Sequence, residues 1–319
     1  MASVKQKELD LLKKRKLTFS ERVAFTWRQM RENKINYFMM LPFLVFFTLF
    51  TLIPIGASVV LSFTRYDILN APVFIGWNNY LRMFLEDSVF LIALKNTFKF
   101  AVITGPVSYL LCFIFAWFIN DLPSFGRAFF TVVFYAPTLA NIYFIFQYLF
   151  SSDMYGLINS VLMNIGVLNE PIAWLKDPKY MLNIVIIVQL WCSLGTGFLA
   201  FVAGLQNLDP SLAEAGAIDG VRNRFQELFY IILPQMGGML MFGAVMQIAS
   251  SFAVGGISSA LLGFPSVDYA GHTLVLHIQD FGQTRFELGY ASAVAVVLFA
   301  IMILTKLVVN KLLARYSHD

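Results

Sequence analysis

Eight side chains able to hydrogen-bond or stack lie inside long apolar runs of the sequence, and none is charged: Asn141 and Gln147, then Gln189, Trp191 and Ser193, then Gln247, Ser250 and Ser251. Amides, hydroxyls and an indole face can hold a neutral, hydroxyl-rich solute; they offer no titrating acid or base for bond-breaking chemistry. Inside a bilayer such groups are costly unless they face a bundle interior or a cavity. The serines carry the least information, because a membrane serine commonly bonds a carbonyl of its own helix. Gln189 and Gln247 each have two donors and an acceptor to satisfy, and either a solute or a neighbouring helix would do so.

Other chemistries find no constellation. His272, His277 and His318 have no cysteine or carboxylate array at metal-ligand spacing, so no metal site is expected. Cys112 and Cys192 both fall in apolar runs and read as small packing residues, not as a disulfide or a metal pair. A glycine-rich loop of the P-loop type is missing, so any energy from ATP must come through another chain.

A second group of residues is polar for a different reason. Between two apolar runs stands Asn207-Leu208-Asp209-Pro210-Ser211-Leu212-Ala213-Glu214-Ala215-Gly216-Ala217-Ile218-Asp219-Gly220. Asp209 suits a helix N-cap, Pro210 the first helical position and Gly220 the residue just past a helix end. These signals predict a helix of about ten residues, too short to persist without packing against something. Leu212, Ala215, Ala217 and Ile218 are its apolar positions; Ser211, Glu214 and Asp219 are polar. An ordinary connecting loop with one capped helix and a docking element for a partner protein are both open on these grounds.

The elements that must position these residues follow from composition. The chain of 319 residues is 58% hydrophobic with a mean hydropathy of +0.70, well above soluble domains at about 45–50% apolar. Six continuous apolar runs, roughly 37–64, 97–119, 128–150, 182–206, 235–262 and 287–310, are long enough for spanning helices and lack the alternation of a barrel strand. The fifth is the least regular, since Gly237-Gly238 and Gly255-Gly256 threaten to interrupt it. The first run begins after residue 36 and is too long for the core of a cleavable signal peptide.

Orientation follows from lysine and arginine. Residues 1–36 carry ten of them, and placing that tail in the cytoplasm puts sixteen inside (with Arg127, Arg222, Arg224, Lys306, Lys311 and Arg315) against six outside. The positive-inside rule therefore sets both termini, and the Asp209–Gly220 segment, in the cytoplasm. The basic tail reads as a topology signal and anionic-lipid contact, not as a nucleic-acid arm. Phe19, Val23, Trp27 and Met30 fall at helical spacing within it and predict an interfacial helix.

Glu214-Ala215-Gly216-Ala217-Ile218-Asp219-Gly220, followed by Leu233-Pro234, resembles the EAA signature of permease subunits of binding-protein-dependent ABC importers. Phe74-Ile75-Gly76-Trp77-Asn78-Asn79-Tyr80, Leu94-Lys95-Asn96-Thr97, Tyr155-Gly156-Leu157-Ile158-Asn159, Ile172-Ala173-Trp174-Leu175 and Phe286-Glu287-Leu288-Gly289-Tyr290-Ala291-Ser292-Ala293 are similar to segments of the carbohydrate branch, on the maltose and glycerol-phosphate side. Two departures stand out. Gly216 replaces the usual second alanine of the signature, and Leu262-Gly263-Phe264-Pro265-Ser266-Val267-Asp268 stands where the family often has a Gly-Gly-Gly-Pro turn.

The resemblance implies an all-α membrane protein of the type I ABC importer permease fold, with six transmembrane helices and both termini cytoplasmic. Its domains would be a basic tail at 1–36 and a permease domain at 37–319 with a coupling loop at 207–233. Glu214, Ala215, Gly216, Asp219 and Gly220 would form the coupling helix that docks on a cytoplasmic ATPase. Gln189, Trp191, Gln247, Ser250 and Ser251 would line the substrate pathway for a sugar or oligosaccharide. Implied partners are a second homologous permease subunit, two ATPase subunits that bind the ATP and magnesium, an extracytoplasmic solute-binding protein and the lipid of the cell membrane. This chain would hold no cofactor and catalyse nothing. The rivals are a self-sufficient secondary transporter, which would need intramembrane charges for ion coupling, and a membrane scaffold, which would need no polar cavity.

Overall fold

The computed structural model describes residues 27, 30, 31, 33–139 and 143–313, and these are overwhelmingly helical. The chain divides into two compact units, Met1–Ala57 and Ser58–Asp319. The expected tail helix lies mostly outside the described residues; of it, Trp27 and Met30 are helical and exposed.

Helix α1 (Lys34–Leu61) is apolar on every side and buries none of its residues, as suits a helix solvated by lipid. It contains a π turn at Thr48–Leu52, two residues ahead of Pro54. A second π turn, at Leu228–Ile232, stands in the same relation to Pro234. The shared cause is proline, which offers no N–H and crowds the carbonyl four residues back, so the turn before it widens.

The second unit opens with β1 (Thr64–Arg65) and β2 (Val73–Phe74), paired antiparallel with Thr64 opposite Phe74, and a short helix α2 (Asn78–Leu85). Helix α3 (Ser88–Asn120) follows, 33 residues and so roughly 50 Å long. It starts nine residues before the expected apolar run. Asp87 caps it by accepting the Phe90 N–H at 2.9 Å, and Lys95 and Lys99 sit one turn apart on its exposed face. Buried Phe90, Ala93, Thr97, Ala101, Thr104, Ser108 and Cys112, three or four residues apart, form the stripe against which the bundle packs.

The third run is a broken element: α4 (Ser124–Leu139) and α5 (Tyr143–Leu149), whose axes differ by 81°. Asn141 lies outside the described residues between them. After α6 (Leu157–Asn164), the fourth run departs from expectation by splitting into α7 (Pro178–Cys192) and α8 (Thr196–Gln206), with Gly195 outside the helical region at φ −103°, ψ −136°. Helix α9 (Pro210–Ile218) and α10 (residues 224–235, including the second π turn) lead to α11 (Gly237–Phe252) and α12 (Gly256–Leu262). Gly255-Gly256 does mark a break in this fifth run, whereas Gly237-Gly238 opens α11 without interrupting it. The described residues end with α13 (Leu274–Gln279), a π turn at Asp280–Thr284 and α14 (Leu288–Leu313).

Among the described residues, five helical stretches are long and apolar enough to cross a membrane, namely α1, α3, α7 with α8, α11 with α12, and α14, and six if α4 and α5 make one broken span. The centre is α3 packed against α8 and α11. Lipid tails are as apolar as leucine, so close packing, not water exclusion, holds such helices together. Gly243 shows how close: a β-carbon there would stand 2.3 Å from Cζ of Phe201, so the fully buried phenyl ring lies directly on the α11 backbone.

Candidate functional site

The Asp209–Gly220 segment is built as its residue types predict. The Asp209 carboxylate accepts the Ser211 N–H at 3.0 Å, and Pro210 begins α9. At the other end Gly220 takes φ +96°, Val221 N–H bonds Gly216 O at 2.9 Å and Gly220 N–H bonds Ala217 O at 3.4 Å. This is a Schellman closure, and a left-handed residue at its turn favours glycine. Between its caps α9 buries nothing. Only Ala213 and Gly216 are half-buried, while Leu212 is 44% and Ile218 87% exposed, in line with Ala215 at intervals of three. Glu214 and Asp219 are exposed beside them.

The expected solute contacts divide into three groups. Gln189 on α7 is 7% exposed, with Nε2 3.4 Å from the Ser250 hydroxyl on α11. Trp191 is not brought to the same place: two residues on it lies roughly 200° round the helix and is 58% exposed. Gln247 is occupied. Its Nε2 lies 3.0 Å from Cys112 Sγ and 3.3 Å from Ser193 O, and its Oε1 stands 3.0 Å from Ser108 Oγ. This amide therefore ties α3 and α11 to the Ser193 carbonyl at the break between α7 and α8, which also accepts the Gly195 N–H at 2.8 Å, and this is the helix-to-helix use of a membrane glutamine. Ser251 and Ser193 bond carbonyls of their own helices, Ile248 O at 2.9 Å and Leu190 O at 2.7 Å. Gln147 donates to Ala260 O.

Gln247 and Ser251 also reach the wall of a cleft of about 340 Å³ between α3, α11 and α14. Phe98, Val102, Tyr109 and Phe252 are among its lining residues, and its mostly apolar wall suits an apolar occupant better than a hydrated sugar. Cys112 and Cys192 are free and buried.

Sequence reasoning missed a polar network at the N-terminal end of α3. Asp87 Oδ2 accepts the Tyr290 hydroxyl at 2.7 Å and lies 3.1 Å from His277 Nε2; His277 Nδ1 in turn lies 3.3 Å from His272 Nε2. Burial alone would raise the Asp87 carboxyl, but hydrogen bonds from His277, the Phe90 N–H and Tyr290 outweigh it and hold the carboxyl well below its ordinary range. Burial, reinforced by the neighbouring His277, pulls the His272 imidazole down to about 4. Arg82 pairs with Glu287 at 2.5 Å and lies over the Tyr290 ring.

The asparagines of the resembling segments fasten loops in the same manner, Asn79 and Asn96 at this end and Asn159 around α6. Asn79 donates to Ser62 O at 2.8 Å and Thr64 O at 2.9 Å. Asn96 lies 3.0–3.2 Å from the carbonyls of Tyr269, Ala270 and His272. Asn159 donates to Ser151 O, Asp153 O and Ile172 O and accepts from Ile172 N–H and Trp174 Nε1. Gly289 admits Thr64 O, which would be 2.1 Å from a β-carbon. A signal existed, in that Asn79, Asn96, Asn159 and Gly289 each fall in a quoted segment, but one-dimensional spacing gives no hint of partners as far apart as Arg82 and Glu287, 205 residues.

No protein-family model matches the chain. It is 32% identical over 295 residues to the probable ABC transporter permease protein YesP of Bacillus subtilis, an alignment covering 90% of this chain and 93% of that one. The arabinooligosaccharides transport system permease protein AraP of the same organism is 29% identical over 299 residues, 92% and 93% of the two chains. A solved bacterial alginate ABC transporter, in complex with a periplasmic protein bound to an alginate pentasaccharide, shares the fold with a TM-score of 0.70 and 21% identity over 92% of this chain and 98% of that one. Relatives of this identity and coverage, a helical multi-pass architecture and a capped helix in the place of the EAA signature agree: the chain belongs to the permease subunits of carbohydrate-type ABC importers, the non-catalytic, membrane-spanning part of the transporter.

Proposed function

We propose that the permease spans the cell membrane six times with both termini in the cytoplasm, α4 and α5 together forming the third span, and that α9 is the coupling helix. The observation that carries the second part is the unpartnered Leu212, Ala215 and Ile218 row on a helix closed by caps at both ends. Such a helix keeps its shape while offering its apolar side to a cleft in another protein. Glu214, Ala215, Gly216, Asp219 and Gly220 are its working residues: the acidic pair orients the contact, the small residues permit close approach and Gly220 ends the helix. Two ATPase subunits below and a second homologous permease beside it complete the assembly, and an external binding protein delivers the solute. ATP and magnesium belong to the ATPase subunits; this chain needs no cofactor.

In this scheme closure of the ATPase pair draws the two coupling helices together and opens the cavity outward, and hydrolysis resets it inward. The solute is a sugar or oligosaccharide, in keeping with uncharged hydrogen-bonding groups in the spans and with the substrates for which relatives are named. Gln189 and Ser250 are the contacts nearest to hand, with Trp191 on a separate face. Gln247 and Ser251 join the pathway only in a conformation that frees the Gln247 amide from Ser193 and Cys112.

The test is uptake together with ATPase retention. Glu214→Lys is expected to abolish solute uptake and strip ATPase subunits from the purified permease; uptake that persists without them would defeat the coupling assignment. Gln189→Ala with unchanged uptake and selectivity would remove that residue from the pathway.

A further inference from the structure

The α9 helix meets the rest of its unit chiefly at the π turn of α10, where Gly216, half-buried like Ala213, lies against Ile231. A β-carbon on Gly216 would stand 2.3 Å from Cδ1 of Ile231 and 3.5 Å from its Cγ1. The terminal methyl of Ile231 thus fills the space that any other residue would need for itself. Ile232, the next residue in the same turn, is buried with Trp117, Phe201, Leu205 and Met236. One widened turn therefore holds α9 with one isoleucine and the bundle core with the next.

Glycine is the poorest helix former after proline, and alanine would better suit a free helix. What alanine would not allow is this seat. Ordinary contact with Ile231 begins near 3.4 Å, so a β-carbon would either turn the Ile231 terminal methyl out of this seat or push the two apart by about 1 Å. We infer that Gly216 and Ile231 form the joint that sets the height and tilt of α9, making Gly216 a positioning residue for energy coupling. The inference rests on α9 being the ATPase-docking helix. Under it, the residue that weakens α9 locally is the residue that seats it.

The experiment uses the tagged permease, purified in lipid nanodiscs with the ATPase subunits that assemble on it in its own host. ATP hydrolysis, retained ATPase and the thermal midpoint are measured for Gly216→Ala, Ile231→Val, the double variant and Glu214→Lys. Gly216→Ala is expected to lower ATP hydrolysis about five-fold or more without lowering the thermal midpoint, because helix propensity rises while the seat is lost. Ile231→Val deletes Cδ1, and in that background the alanine is expected to restore hydrolysis to within about two-fold of the parent. A wild-type rate for Gly216→Ala, or a loss that Ile231→Val does not restore, overturns the joint. If Glu214→Lys alone is defective, docking by α9 stands and only the joint fails; if neither variant is defective, both fall.

Discussion

The two ends of α3 are held by different means. At its N-terminal end Asp87, His277, His272 and Tyr290 form a chain of hydrogen bonds, and Asn79 and Asn96 clamp neighbouring loops through carbonyls far away in sequence. Beyond its C-terminal end Asp121 pairs with Arg224, the Arg224 guanidinium lies over Trp117, and α9 follows with every residue at least partly exposed. The first end pairs most of its polar groups within one chain, the buried Nδ1 of His272 being the exception among the described residues. The second carries a capped helix whose apolar row, among the described residues, has no buried member, as the docking role proposed for it requires.

The largest blow to this contrast would be struck at Asp87. Asp87→Ala removes an acceptor of three hydrogen bonds from a site where its side chain is 12% exposed, and should cost about 3–5 kcal/mol in stability, measured by unfolding in detergent. A cost below about 1 kcal/mol would mean that the network is not what holds this end.

Acid should act on the same end. The His272 imidazole is held near 4 in the folded protein against an ordinary 6.5, so the folded state resists a proton that the unfolded state accepts. Its contribution is complete above pH 6.5 and is lost as pH falls from 6.5 towards 4, about 3 kcal/mol in all. Below that window the depressed Asp87 carboxyl continues the loss in the same direction. His272→Phe should flatten the fall between pH 6.5 and 4 in a stability profile, and an unchanged slope would sink the assignment.

At the other end, effects on stability should be small. Asp209→Ala deletes one cap hydrogen bond and should lower α9 helix stability by about 1 kcal/mol, read as faster amide exchange from Ser211 to Glu214, with the global midpoint unmoved. Ile218→Ser, at 87% exposure, should change stability by less than about 0.5 kcal/mol yet reduce ATPase retention. Were Ile218→Ser to unfold the permease, the α9 row would be structural and the comparison between the two ends would collapse.

Much of α9 was legible because its signals are local. A carboxylate two residues from the N–H that it caps and a glycine at the left-handed position speak through neighbours in the chain. The breaks were legible only where glycine marks them: Gly255-Gly256 announced the gap after α11, whereas Ser193-Leu194-Gly195 lay inside an unbroken apolar run. Gln247 shows the limit most clearly. Composition predicts that its amide must be satisfied, but only the packing of α3, α11 and the α7–α8 break assigns Cys112, Ser193 and Ser108 to the task.

The sequence by itself determined that this chain lives in a bilayer, that the uncharged amides and hydroxyls in its apolar runs suit a neutral solute and that a capped helix interrupts its apolar second half. Each of these depends on composition or on residues within a few positions of one another. The tertiary structure decided which polar residues are already occupied, that His277 and Tyr290 converge on Asp87, and that Gly216 is a seat for Ile231 and more than a weak point in a helix. Those facts depend on which surfaces meet, and a β-carbon that is absent leaves no trace in the sequence of the atom that takes its place.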